Sequence, residues 1–144
     1  MELDKFFTPE YNGSKQFKQQ DVTNANATGF GAAADDYMER GIDLNEQLIR
    51  NKPATYFFRM KGDAMKDSGI FDNDILIVDR SVNLTSGKVI VAILNGELLV
   101  RRFHKNFTSA FLVPENDRFK TINLAEFSDF NVWGVVTYVI HQTP

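Results

Sequence analysis

Apolar residues in this chain gather in short runs. From Ala54 onward, runs rich in Val, Ile, Leu and Phe are separated by Gly, Asn, Asp and Ser. They predict strands at Ala54–Lys61, Ile75–Asp79, Lys88–Leu94, Glu97–Phe103, Ala110–Val113 and Val132–Ile140. Asn95-Gly96, between two of these runs, predicts a two-residue type I′ hairpin. The final run, Asn131 to Ile140, is apolar almost throughout. A strand buried on both faces has that pattern, and so has an edge covered by a partner chain; a core strand is the plainer reading.

Before Ala54 the pattern thins. Leu3, Phe6 and Phe7 form a short apolar patch, and Thr8 to Thr28 is polar, rich in Asn, Gln, Lys and Gly, with little periodicity. Such a stretch predicts an extended, mobile arm, which Gly29-Phe30-Gly31 ends. Asp43 and Glu46 have capping-box spacing, and Leu44, Leu48 and Ile49 share a helical face, so a short helix is expected from about Leu44 to Arg50, stopped by Pro53. The expected organisation is a flexible N-terminal arm over residues 1–29. A mainly β, single compact domain of short twisted strands with one short helix follows over residues 30–144.

Composition narrows the function classes. The 144 residues suit one domain, and the aromatic content, with 13 Phe, predicts an aromatic-rich core. A net charge of −3 argues against a dedicated nucleic-acid binder, which carries a basic face. With no Cys and 2 His there is neither a disulfide framework nor a thiolate or His-based zinc site, so no metal is expected. No apolar run has the length of a membrane span, and the N-terminus lacks the order of a signal peptide, so a cytoplasmic location is expected.

The candidate chemistry centres on Tyr56 to Met65. An apolar strand runs into a tight Gly62-Asp63 turn that presents one small residue, Ala64, ahead of Met65. Several hydrolases hold a nucleophile in this way, but Ala64 has no oxygen to attack with. The second position is Arg101. Strand alternation puts it on one side with Leu99 and Phe103, while Leu98, Val100 and Arg102 share the other. Either its stem packs on the sheet with the head in water, or a polar group receives the guanidinium. His104 and His141 are too few and isolated for a triad, and Asp35-Asp36 and Asp72/Asp74 read as turn and cap chemistry. The basic run Arg101 to Lys105 reads as a solvated hairpin end.

Gly62-Asp63-Ala64-Met65, Ser68-Gly69-Ile70 and Asp74-Ile75-Leu76-Ile77-Val78-Asp79 together resemble the active-site region of the LexA/UmuD self-cleaving serine–lysine peptidases. The likeness extends through Ala34-Asp35-Asp36-Tyr37, Ile42-Asp43-Leu44-Asn45, Pro53 to Phe57, Asn95-Gly96-Glu97 with Val100, and Trp133-Gly134-Val135-Val136. The short polar arm, with no helix-turn-helix domain before it, points to the UmuD branch. The resemblance implies arm cleavage at Thr28-Gly29 during the SOS response and a homodimer. It also implies contact with an activated recombinase–single-stranded DNA filament, and service to a translesion DNA polymerase subunit. It brings no cofactor, no membrane and no direct sequence-specific DNA binding.

Three positions depart from the family pattern. Its nucleophilic serine is Ala64 here, its lysine base is Arg101, and its Ala or Cys before the scissile bond is Thr28. A methyl group cannot form an acyl-enzyme. Burial can pull a lysine from about 10.4 towards neutrality, whereas arginine, above about 12, keeps its proton. Self-cleavage is therefore not expected. A deliberate serine-to-alanine exchange that traps the uncleaved form accounts for Ala64 alone. A natural pseudopeptidase accounts for all three departures, either as a polymerase accessory or as a regulator that forms mixed dimers with an active relative. In that case Arg101 is expected to hold the vacated pocket through the Gly62–Asp63 turn or Asp79.

Overall fold

In the computed structural model, which describes residues 2–7 and 41–144, the apolar runs pair into one antiparallel sheet. Among the described residues its strands are β1 (Leu3–Phe7), β2 (Thr55–Met60), β3 (Ile75–Asp79), β4 (Val89–Leu94), β5 (Glu97–Lys105), β6 (Ala110–Val113), β7 (Ile122–Asn123) and β8 (Phe130–Ile140). Their order across the sheet is β1-β2-β3-β8-β4-β5-β6-β7. The chain divides into two units, Met1–Pro9 with Asn51–Pro144, and Glu10–Arg50. The boundary expected at 29/30 lies outside the described residues, as do Thr28-Gly29 and the Asp35-Asp36 pair.

Local chemistry sets the element ends. Asn95 and Gly96 both adopt positive φ, 49° and 81°, as a type I′ turn requires, and the turn fixes the β4–β5 register from Leu94↔Glu97 to Val89↔Arg102. In the smaller unit the described helix is α1 (Leu44–Leu48). Asp43 caps it, its carboxylate accepting from the Asn45 amide at 2.9 Å. The helix ends before Arg50 because Ile49 is already extended at the C-cap.

Two expectations are corrected. The first seven residues are not all arm: Leu3–Phe7 pairs with β2 from Leu3↔Met60 to Phe7↔Phe57. A strand of five residues with no clean alternation leaves little pattern to read, and Leu3 is held by burial against residues far along the chain. The terminal run is interior in the sheet order, as the plainer reading has it, but it is not buried on both faces, and beyond Val135 it is paired on one side alone among the described residues. β8 pairs with β4 through Phe130–Val135 and with β3 through Val135–Ile140, and one face stays partly open. Register shifts opposite Val91/Ala92 and Ile77/Val78 put bulges in β8, which bend it from one neighbour to the other.

That bend divides the interior into two clusters. Leu3, Phe58, Met60, Met65, Ile70, Leu76, Val78, Val91 and Val100 form one; Ile90, Ala92, Phe103, Leu112 and Val135 form the other. Leu3 of β1 and Val100 of β5 lie in the same cluster although four strands separate theirs in the sheet order. The sheet therefore curls until β1 faces β5.

Candidate functional site

The site is built where β2 ends. After Met60 the chain turns through Gly62, whose amide donates to Asp72 Oδ1 at 2.7 Å, and passes Asp63, Ala64 and Met65 into a short 3-10 turn at Lys66–Ser68. A second segment, the connection from β6 to β7, lies against this turn. The Glu115 amide donates to the Ala64 carbonyl at 2.8 Å, the Asp67 amide to the Glu115 carbonyl at 2.9 Å, and Asn116 Nδ2 to the Asp63 carbonyl at 2.8 Å. Those bonds hold the turn down. Ala64 and Met65 are completely buried, so the small residue is not presented at an open mouth as the local sequence suggests.

Arg101 sits on β5 at the other side of the same segment. It is 7% exposed, with the Phe119 ring 5.4 Å from its guanidinium carbon. Its Nη1 donates to both carboxylate oxygens of Glu2 at 3.0 Å and to the Val100 carbonyl at 2.7 Å. Glu2 Oε2 also accepts from the Val100 amide at 2.6 Å. Neither the Gly62–Asp63 turn nor Asp79 receives the guanidinium, as the sequence reading expected. Asp79 instead accepts from the Ser81 amide and hydroxyl at 2.7 and 2.5 Å. A carboxylate delivered by β1 is the stronger attraction for a buried cation.

Alternation explains the direction. Leu3 and Val100 turn into the first core cluster, so their neighbours Glu2 and Arg101 turn to the opposite side and meet there. Nothing local in the sequence signals a partner 99 residues away. The adjacent Arg102 is half-buried; its Nε donates to Glu115 Oε1 at 2.7 Å and its Nη1 to the Gly87 carbonyl at 2.7 Å. Glu115 thus ties β5 to the Ala64 turn with both its side chain and its backbone.

Of the remaining candidates, His141 is not isolated: its Nδ1 lies 2.5 Å from Asp74 Oδ1, and Asp74 Oδ2 accepts from the Phe71 amide. Among the described residues no three His, Asp or Glu side chains converge to hold a metal ion, and no helix is long and apolar enough to cross a membrane. A separate open groove of about 750 Å³, bordered by Leu84, Phe103, Lys105 and Phe107, includes neither Ala64 nor Arg101. Chemically, the site offers a methyl group at 64 and a fixed cation holding a carboxylate at 101. Neither of these two side chains can act as a nucleophile or take up a proton.

The chain is similar to known proteins over most of its length. The model of the Peptidase S24-like family matches residues 21–137. Protein MucA of Salmonella typhimurium is 30% identical over 129 residues, covering 82% of this chain and 81% of that protein. Protein SamA of Salmonella typhimurium strain LT2 is 36% identical over 115 residues, with 80% and 79% covered. The LexA repressor of Hahella chejuensis is 35% identical over 98 residues, 68% of this chain but 48% of the repressor.

Proposed function

The chain belongs to the peptidase S24-like family, in its UmuD-like branch, and on that premise we propose that it is an SOS mutagenesis protein that has lost self-cleavage. In this reading it works in the cytoplasm as a homodimer, and as an accessory subunit of an error-prone translesion DNA polymerase. Its arm, with Thr28-Gly29 at the ancestral cleavage position, meets the activated recombinase–single-stranded DNA filament without being cut.

One observation carries the inertness. Arg101, in the position of the base, is bound to Glu2, while Ala64, in the position of the nucleophile, is a buried methyl group. Nucleophile and base act as a unit, so losing either removes most of the rate. Gly62, with its positive φ of 90°, turns the chain ahead of Asp63, Ala64 and Met65 in this reading of the vacated active-site turn.

The test restores the dyad stepwise. Ala64→Ser, Arg101→Lys and the double variant are incubated with activated recombinase filaments, and the products are weighed by mass spectrometry. Cleavage after Thr28 is expected in the double variant alone; cleavage by Ala64→Ser alone overturns the assignment of Arg101. The polymerase role is read separately. Damage-induced mutation frequency in cells carrying the unaltered chain with its polymerase subunit is expected to exceed that in cells lacking the chain, and equality would remove that role.

A further inference from the structure

β5 is paired with β6 only from Arg102 onward, so the edge of β5 that precedes Arg102 has no strand against it among the described residues. The Val100 amide on that edge would be an orphan donor. It is met instead by the Glu2 carboxylate, which also takes the Arg101 guanidinium. The backbone of Glu2 is tied on its other side, where its carbonyl accepts from the Lys61 amide at 2.6 Å. A single side chain thus spans the seam between β1 and β5.

We propose that Arg101 and the Val100 amide form a carboxylate-binding site, and that Glu2 is its tethered, displaceable ligand. Three features make it a built site rather than a surface ion pair. Arg101 is more than nine-tenths buried. Its side chain is fixed from above by Phe119 and from below by its hydrogen bond to the Val100 carbonyl. Among the described residues its buried Nε has no hydrogen-bond partner, so Glu2, which meets Nη1, leaves that donor unused. The Lys61 amide holds the Glu2 backbone and limits how the carboxylate can approach; a carboxylate free of that tie can turn from Nη1 to the opposite edge of the fork, where Nε and Nη2 donate side by side.

The ligand class is a short aliphatic carboxylate, of the size of a glutamate side chain. β1 is the outermost strand of the sheet, so its departure uncovers the cationic site and the β2 edge together. Those are the two things an extended acidic peptide needs: ladder hydrogen bonds and an anchor for its charge. The site stands whether or not the chain serves a polymerase, because it rests on the β1–β5 seam and not on the mutagenic role.

The test is chemical rescue in the full-length chain. In Glu2→Ala, propionate replaces the missing side chain. It is expected to raise the melting temperature saturably beyond an ionic-strength-matched chloride control, and propionamide is expected to leave it unchanged. Propionate should have far less effect on the unaltered chain, and in Glu2→Ala/Arg101→Met its affinity should fall at least about tenfold. Equal shifts in all three proteins, or none in Glu2→Ala, overturn the proposal. Should Glu2→Ala be unfolded, Glu2→Gln takes its place: recovery of protection in the β1 amides by propionate supports the site, and no recovery refutes it.

Discussion

At position 101 the difference between arginine and lysine lies in what each can release. A lysine can shed its proton when buried and become a base; a guanidinium cannot, so burial obliges the fold to supply an anion. Glu2 is that anion, and its presence bears on any attempt to revive the chemistry. A lysine introduced at 101 in the Ala64→Ser background would meet the same carboxylate. A neighbouring negative charge favours the ammonium form and raises the lysine's pKa, which lowers the fraction of free amine at neutral pH. Adding Glu2→Gln to Ala64→Ser/Arg101→Lys is therefore expected to accelerate cleavage after Thr28 at pH 7 by about tenfold for each pKa unit removed. The midpoint of the pH–rate profile should move to lower pH. An unchanged profile would mean that the introduced lysine turns away from Glu2. The exchanges at 64 and 101 were plain in the sequence, since a missing hydroxyl and a guanidinium announce themselves. Their environment was not. Ala64 is buried by Glu115 and Asn116, and Arg101 is neutralised by Glu2, contacts that join distant parts of the chain through tertiary packing.

Elements were legible in proportion to their local signals. Asn95-Gly96 specifies its turn without outside help, and β3 and β6 begin and end as the apolar runs do. β1 and the two-residue β7 carry no local signal because they exist only by pairing with strands already in place. The interior place of β8 is legible in its apolar run, but the run cannot say that the strand bends between two neighbours. Gly134 shows what that bend demands. It lies between the two bulges, where an added Cβ would stand 2.7 Å from Val78 Cγ1 and 3.3 Å from Arg80 Cγ. Val78 is fully buried and cannot retreat, while Arg80 is held by its own bond from Nε to the Trp133 carbonyl at 2.9 Å. Trp133 next to it packs edge-on against both Tyr56 and Phe58, each at 4.9 Å, so a shifted β8 would also disturb β2. Gly134→Ala is expected to destabilise the fold by about 1–3 kcal/mol, the usual cost of overpacking. The check is a denaturant midpoint measured beside the parent chain; a change within about 0.5 kcal/mol, typical of neutral surface substitutions, would mean that the strand has room to move.

For the whole molecule, β8 also leaves a free margin. Its Val135–Ile140 half is bonded to β3 on one side, and β4 pairs with β8 only as far as Ile90↔Val135, so the other side of that half has no strand among the described residues. An unpaired edge of this kind is a template for another strand, and an isologous dimer can satisfy it with a second copy of itself. Ile140, 42% exposed at the end of this half, adds apolar surface where a soluble monomer would place charge. In the proposed homodimer each Ile140 is repeated by symmetry, so Ile140→Asp removes apolar burial twice and adds two carboxylates to one interface. The dimer dissociation constant is expected to rise by at least about tenfold, or about 1.4 kcal/mol, in sedimentation equilibrium. Because Ile140 lies outside both core clusters, the circular dichroism spectrum of the folded chain should be unchanged. A variant that dimerises as tightly as its parent would move the homodimer contact away from β8 to the outer strands of the described sheet, β1 and β7.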